Sequence, residues 1–165
     1  MTERHDTRAV VAERAATAGA TLAFEQFRTG IATETKSSVT DIVTEADRAA
    51  QRRVIEVIES RFEGEPVVGE EEDALKTVPD EGAAWIVDPI DGTNNFVDGI
   101  RVWGTAVAAV IDGEPVGSAV VLPALEDSYT ADRTAAYRNG SEISVSETDK
   151  PELSTVAPML WWDTD

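Results

Sequence analysis

Asp88 and Asp91 stand three positions apart in Trp85-Ile86-Val87-Asp88-Pro89-Ile90-Asp91-Gly92-Thr93-Asn94-Asn95-Phe96. The apolar run over residues 83–87 predicts a buried strand, stopped by Pro89 and turned by Gly92. Two carboxylates at such a corner can converge on one point, where each raises the other's pKa. A hard divalent cation removes that repulsion. Mg²⁺ takes oxygen ligands, typically one or two carboxylates plus phosphate oxygens. Gly92 lets main-chain N–H groups approach an anion closely, and Thr93 adds a hydroxyl in the same turn. An aspartate-rich turn that caps its own backbone fits the same residues, so the turn alone leaves both readings open.

The elements that must position this turn are legible on either side of it. Residues 4–28 predict an amphipathic helix, with Val11, Ala15, Ala18, Leu22 and Phe24 or Phe27 on its apolar face and Gly30 as its C-terminal cap. A polar, β-prone piece follows over 31–43, in which Lys36-Ser37-Ser38 reads as a solvated turn. A second helix runs from Thr44 to near Phe62, with Ala50, Val54, Val57, Ile58 and Phe62 on its apolar side. Thr44 and Asp47 have the spacing of a capping box. Glu65-Pro66 breaks this helix, and 67–69 predict a short strand that leads into Glu70-Glu71-Glu72. Such a run of acids reads by itself as a solvated face.

After the turn come predicted strands over 102–111 and 115–122, joined at Asp112-Gly113-Glu114 and ended by Pro123. Shorter strands over 127–130, 135–137 and 143–145 follow, with Asn139-Gly140 as a further turn. Helices first and then a meander of strands predict an α+β domain: two long helices packed on a largely antiparallel sheet.

Composition narrows the chemistry. The 165 residues carry 32 acidic and 14 basic side chains, for a net charge of −18, and 42% are hydrophobic. That describes a folded protein with an acidic surface, which repels nucleic acid and anionic lipid. We expect adaptation to a salt-rich cytoplasm. There is no Cys, and the single His is His5, near the N-terminus. Thiolate chemistry, zinc ribbons and His-based triads are therefore disfavoured, and any metal site must use oxygen ligands. No run is long enough to span a membrane and the N-terminus is polar, so the expectation is a soluble cytoplasmic protein.

Three ordered motifs point to one family. Asp88-Pro89-Ile90-Asp91-Gly92-Thr93, with Trp85-Ile86 before it and Asn95-Phe96 after it, resembles the main signature of the inositol monophosphatase family. That family comprises Mg²⁺-dependent, lithium-sensitive phosphatases, fructose-1,6-bisphosphatases among them. Upstream, Asp41-Ile42-Val43-Thr44-Glu45-Ala46-Asp47 resembles its D-L-V-T-x-x-D motif, and Val68-Gly69-Glu70-Glu71 its I-G-E-E motif. The resemblance implies a helix pair on a six-stranded antiparallel sheet. It also implies a phosphoric monoester hydrolase that attacks with metal-activated water and forms no phosphoenzyme.

By the same resemblance, Glu70, Asp88 and the carbonyl of Ile90 hold a first Mg²⁺, and Asp88 and Asp91 share a second. Thr93 with Asp47 takes the proton of the attacking water. Asp91, Gly92 and Thr93 meet the phosphate. Lys36 is a weaker phosphate contact and Glu71 a candidate for a further metal. A phosphoaspartate mechanism, which needs D-x-D spacing, does not fit Asp88-Pro89-Ile90-Asp91. The implied substrate is a small phosphorylated polyol or sugar, with inositol phosphate, fructose bisphosphate and nucleotide 3′-phosphates all open, and the implied assembly a homodimer.

The resemblance covers the family's N-terminal half. We expect a metal-binding domain over 1–146, with 147–165 the truncated start of an α/β substrate domain whose remainder is missing. The Trp162-Asp163 pair comes too early to be that domain's W-D motif. Asp98 stands where the family usually has His, and Arg101 where it has Pro. The alternative to an active hydrolase is a family fragment that binds Mg²⁺ without turnover, or one completed by a separate C-terminal partner.

Overall fold

The computed structural model describes residues 7–29, 33–35, 42–70, 74–150 and 152. Helix α1 (Arg8–Gln26) starts at Thr7, whose hydroxyl accepts from the Val10 N–H at 3.4 Å. It buries Val11, Ala12, Ala15, Ala16, Gly19, Ala20 and Ala23. The predicted period holds, but the face is rotated: Ala18 and Leu22 are half-buried and Phe24 is exposed. Small residues take the inner face because α1 lies directly on its neighbours. A Cβ added to Gly19 would stand 2.6 Å from Val54 Cγ2, and one on Gly117 would stand 2.5 Å from the Ala9 nitrogen. The helix ends at Phe27 and Arg28, the latter left-handed at φ 64°, ahead of Gly30, which lies outside the described residues.

A two-stranded antiparallel ribbon, β1 (Thr33–Thr35) with β2 (Ile42–Thr44), leads into α2 (Glu45–Glu59). Helix α2 buries Ala46, Asp47, Ala50, Gln51, Val54 and Ile58, while Val57 and Phe62 pack at the margin of the core. It ends three residues short of the predicted Phe62.

The main sheet has seven strands in sequence order: β3 (Val67–Gly69), β4 (Ala83–Asp91), β5 (Gly104–Ile111), β6 (Glu114–Leu122), β7 (Asp127–Asp132), β8 (Ala136–Arg138) and β9 (Ser141–Ile143). Among the described strands β3–β4 pair in parallel and each later neighbouring pair is antiparallel. This is the expected α+β architecture, with one strand more than the resemblance implies.

Three local expectations need correction. Strand β4 runs through Pro89 to Asp91, because the ladder to β5 slips between Asp88 and Asp91 and asks no N–H of the proline. The last strand is Ser141–Ile143, not 143–145: Asn139 (φ 49°) and Gly140 (φ 77°) make a tight two-residue turn, so pairing resumes at once. A short helix, α3 (Thr93–Val97), follows the Asp91-Gly92 corner; its residue types are weak helix formers and gave no periodic signal.

Two apolar clusters hold the layers together. One joins Val11 and Ala15 of α1, Val54 and Ile58 of α2, and Trp85, Val87 and Val107 of the sheet. The other joins Ala23, Ala46, Ala50, Ile90, Phe96 and Trp103, with Phe27 at its edge. Phe96 and Trp103 meet edge to face, with centroids 4.8 Å apart. This second cluster lies beneath the Asp91-Gly92 turn.

Candidate active site

Parallel pairing places Gly69 opposite Val87, so Glu70 follows the end of β3 beside Asp88 within β4, on chains spaced about 4.8 Å apart. Glu70 is exposed and Asp88 half-buried. Gly69 packs closely on α2: an added Cβ would stand 2.5 Å from Gln51 Oε1, so that side chain would have to shift. At the same strand end, Lys76 Nζ donates to the carbonyls of Gly69 (3.0 Å) and Glu70 (2.7 Å).

The bulge in β4 shapes the second half of the corner. Asp88 pairs with Ala106 and Asp91 with Gly104, so three steps on β4 match two on β5. The buried Thr105 fixes the bulge by donating from Oγ1 to the Pro89 carbonyl at 2.7 Å. Ile90 drops its side chain into the second cluster, and Asp91 is exposed. Gly92 adopts φ 86° and ψ 42°, a left-handed conformation that favours glycine, and caps α3. Thr93 Oγ1 then donates to the Ile90 carbonyl at 2.9 Å. The main chain thus folds back so that Ile90 O, Asp91, Gly92 and Thr93 share one turn.

Asp47 belongs to the helical layer. It lies in the first turn of α2 and is 3% exposed. The preceding Ala46 belongs to the same apolar cluster as Ile90 and Phe96, which flank the turn that carries Thr93. Lys36 and Glu71 lie outside the described residues, as does the side chain of Thr44 in the predicted capping box.

The acids form a loose arrangement. Among the described residues no group of three or more His, Cys, Asp or Glu side chains is placed to hold a metal ion. What stands at the corner is an oxygen-only donor set with gaps: Glu70 beside Asp88, the Ile90 carbonyl, and Asp91 on the turn. That chemistry fits a hard dication which keeps water and phosphate in its shell rather than a closed protein cage.

Three residues escaped the reading of the sequence. Thr105 is the single hydroxyl in the strand Gly104–Ile111. Gln51 is an amide on the buried face of α2. Lys76 is the one basic residue between Arg61 and Arg101. Each was visible as an odd residue in its segment, but none belonged to a motif.

A profile of the inositol monophosphatase family matches residues 4–161. The chain belongs to the inositol monophosphatase family. It is 40% identical over 116 residues to the fructose-1,6-bisphosphatase/inositol-1-monophosphatase of Thermotoga maritima, an alignment covering 69% of this chain and 43% of that protein. Thermotoga maritima IMPase superposes with a TM-score of 0.73 at 34% identity, over 81% of this chain and 52% of that one. An IMPase/NADP phosphatase solved with Mg²⁺ and phosphate superposes with a TM-score of 0.63 at 29% identity, over 71% and 45% of the two chains. The chain thus spans about half the length of the family members it matches, or less. The α2 and β3–β4 elements that carry Asp47, Glu70 and Asp88 fall inside the family match.

Proposed function

We propose that this inositol monophosphatase family chain supplies the metal-binding part, residues 1–146, of a Mg²⁺-dependent phosphate monoester hydrolase. Its substrate class is a small phosphorylated polyol or sugar, inositol monophosphate or fructose 1,6-bisphosphate. The observation that carries this reading is the β3–β4 corner, where parallel register brings Glu70 beside Asp88 one bulge away from Ile90 O, Asp91 and Thr93. Membership of the family and the Mg²⁺–phosphate complex of the IMPase/NADP phosphatase support it.

In this reading Glu70, Asp88, Asp91 and the Ile90 carbonyl would hold Mg²⁺, and Glu71 is a candidate for a further metal. Bound there, the metal lowers the pKa of water and offsets charge on the phosphate. The chain's own residues do the rest. Thr93 presents a hydroxyl whose orientation is set from the Ile90 carbonyl, and Asp47, buried at the start of α2, takes the proton that Thr93 relays from the attacking water. The N–H groups of Gly92 and Thr93 meet the phosphate oxygens at the left-handed turn, and Lys36 adds positive charge.

The test is phosphate release from inositol 1-phosphate and fructose 1,6-bisphosphate with Mg²⁺, with and without Li⁺, in molar KCl. Turnover that Asp88→Asn abolishes and Li⁺ depresses supports the proposal. Mg²⁺ binding without turnover supports the fragment reading instead. Activity that survives Asp88→Asn refutes the site. The excess of 32 acids over 14 bases supports a cytoplasm rich in salt as the working environment.

A further inference from the structure

We propose that Lys76 is a positioning residue for Glu70: its ammonium clamps the end of β3 and aims the Glu70 carboxylate at the metal. The inference rests on the reading of Glu70 and Asp88 as metal ligands given above.

Beyond Gly69, Leu75 pairs beside β3 and extends the sheet by one residue. Leu75 donates its N–H to the Val67 carbonyl at 3.0 Å, and Gly69 donates its N–H to the Leu75 carbonyl at 3.1 Å. In a strand the N–H and C=O of one residue point to the same side, so the Gly69 carbonyl also faces this segment. A continued ladder would meet that carbonyl with the next main-chain N–H. Here the Lys76 ammonium takes the place, at 3.0 Å, and at 2.7 Å also holds the carbonyl of Glu70.

The clamp therefore spans two successive peptide groups with charge-assisted hydrogen bonds, roughly twice as strong as neutral ones. From the opposite layer, Gln51 packs against Gly69, where an added Cβ would stand 2.5 Å from its Oε1. Residue 69 is held from both sides, and Glu70, exposed at the strand end, inherits its direction from that fixed peptide. A glutamate carries three rotatable bonds and makes a poor ligand unless its backbone is fixed. The long acidic stretch between Arg61 and Arg101 has a single cation, and it holds the main chain of the ligand.

Calorimetric titration of the full chain with Mg²⁺ tests this, using Lys76→Met, Lys76→Gln, Lys76→Arg and Asp88→Asn. Lys76 is exposed, so the metal-free variants should melt within a few degrees of the parent, at about the scatter of surface substitutions. Removing a partner that orients a ligand lowers metal affinity about tenfold or more, the loss expected for Lys76→Met. Lys76→Gln, with a neutral donor, loses less, and Lys76→Arg restores most of the affinity.

Affinity in Lys76→Met within about twofold of the parent, while Asp88→Asn abolishes binding, overturns the role of Lys76 and leaves the metal site standing. Equal losses in Lys76→Arg and Lys76→Met also overturn it, since a second cationic donor would not then rescue. Binding that survives Asp88→Asn overturns the metal site itself, and this inference with it.

Discussion

Replacing Glu65 with alanine should be among the more damaging changes outside the site. Arg8 Nη1 and Nη2 donate to the two carboxylate oxygens of Glu65, each at 2.6 Å, and Trp85 Nε1 donates to Oε2 at 2.7 Å. Trp85 is fully buried, and the Arg8 and Glu65 side chains are 18% and 22% exposed. The Arg8 guanidinium also lies 4.4 Å from the Phe62 ring centroid. One carboxylate thus ties the start of α1, the approach to β3 and the core strand β4. Alanine leaves the indole N–H without an acceptor, which costs about 1–3 kcal/mol, and strips a half-buried guanidinium of hydrogen bonds worth about 1.5–3 kcal/mol.

The two terms share one carboxylate and do not simply add. Their joint effect of about 3 kcal/mol lowers the melting temperature of a domain this size by about 6–12 °C. Glu65→Gln keeps an acceptor and should lose about 1 kcal/mol. Circular dichroism melts of the three proteins give the comparison.

The pH dependence carries a second check. The hydrogen bond from Arg8 holds the Glu65 carboxyl below its ordinary value, against the opposing effect of burial. A carboxyl whose folded pKa is depressed stabilises fully above its unfolded pKa, about 4.3, and loses that stabilisation as pH falls through the folded value. The gap between the parent and Glu65→Gln should be full at neutral pH and close in the acid range below about pH 4. A Glu65→Ala melt within about 1 °C of the parent, or a gap that widens on acidification, refutes the reasoning.

Other consequences are simpler to state. Thr105→Val should destabilise by about 1–2 kcal/mol, by orphaning the Pro89 carbonyl, and should weaken Mg²⁺ binding by freeing the bulge; a loss of stability with unchanged affinity separates the two. Trp103→Phe should cost less than Trp85→Phe in urea melts, because among the described residues the buried Trp103 Nε1 has no hydrogen-bond partner whereas Trp85 Nε1 is held by Glu65. With a net charge of −18, thermal stability should rise as KCl goes from millimolar to molar, and a fall would count against salt adaptation.

How much of this was legible beforehand depended on whether a residue's role is local. The Asp112-Gly113 and Asn139-Gly140 turns announce themselves by chemistry that any chain shares, and both hairpins are where expected. The α+β layout followed from periodicity. Pro89 misled because its effect depends on a partner strand: the slip against β5 is a property of the pair, invisible in either strand alone. The inner face of α1 misled for a similar reason. Periodicity weights large apolar residues, yet the selection here is for the absence of side chain opposite Gly117 and Val54. At the site, Asp88, Asp91 and Thr93 could be read from a contiguous motif. Gln51, Lys76 and Thr105 act on that motif from three other segments, and only the fold brings them to it.

The bed on which α1 rests has a consequence for how the chain reaches this form. Its first residues abut Gly117, and its core neighbours include Ala119, both in β6. A ribosome delivers this helix long before it delivers that strand. The helix must therefore wait in water, and the outermost layer is completed only once most of the sheet has emerged. An inner face on which five of the seven buried residues are alanine suits the delay: alanine favours helix without a partner, and each methyl left uncovered offers little for a stray chain to stick to.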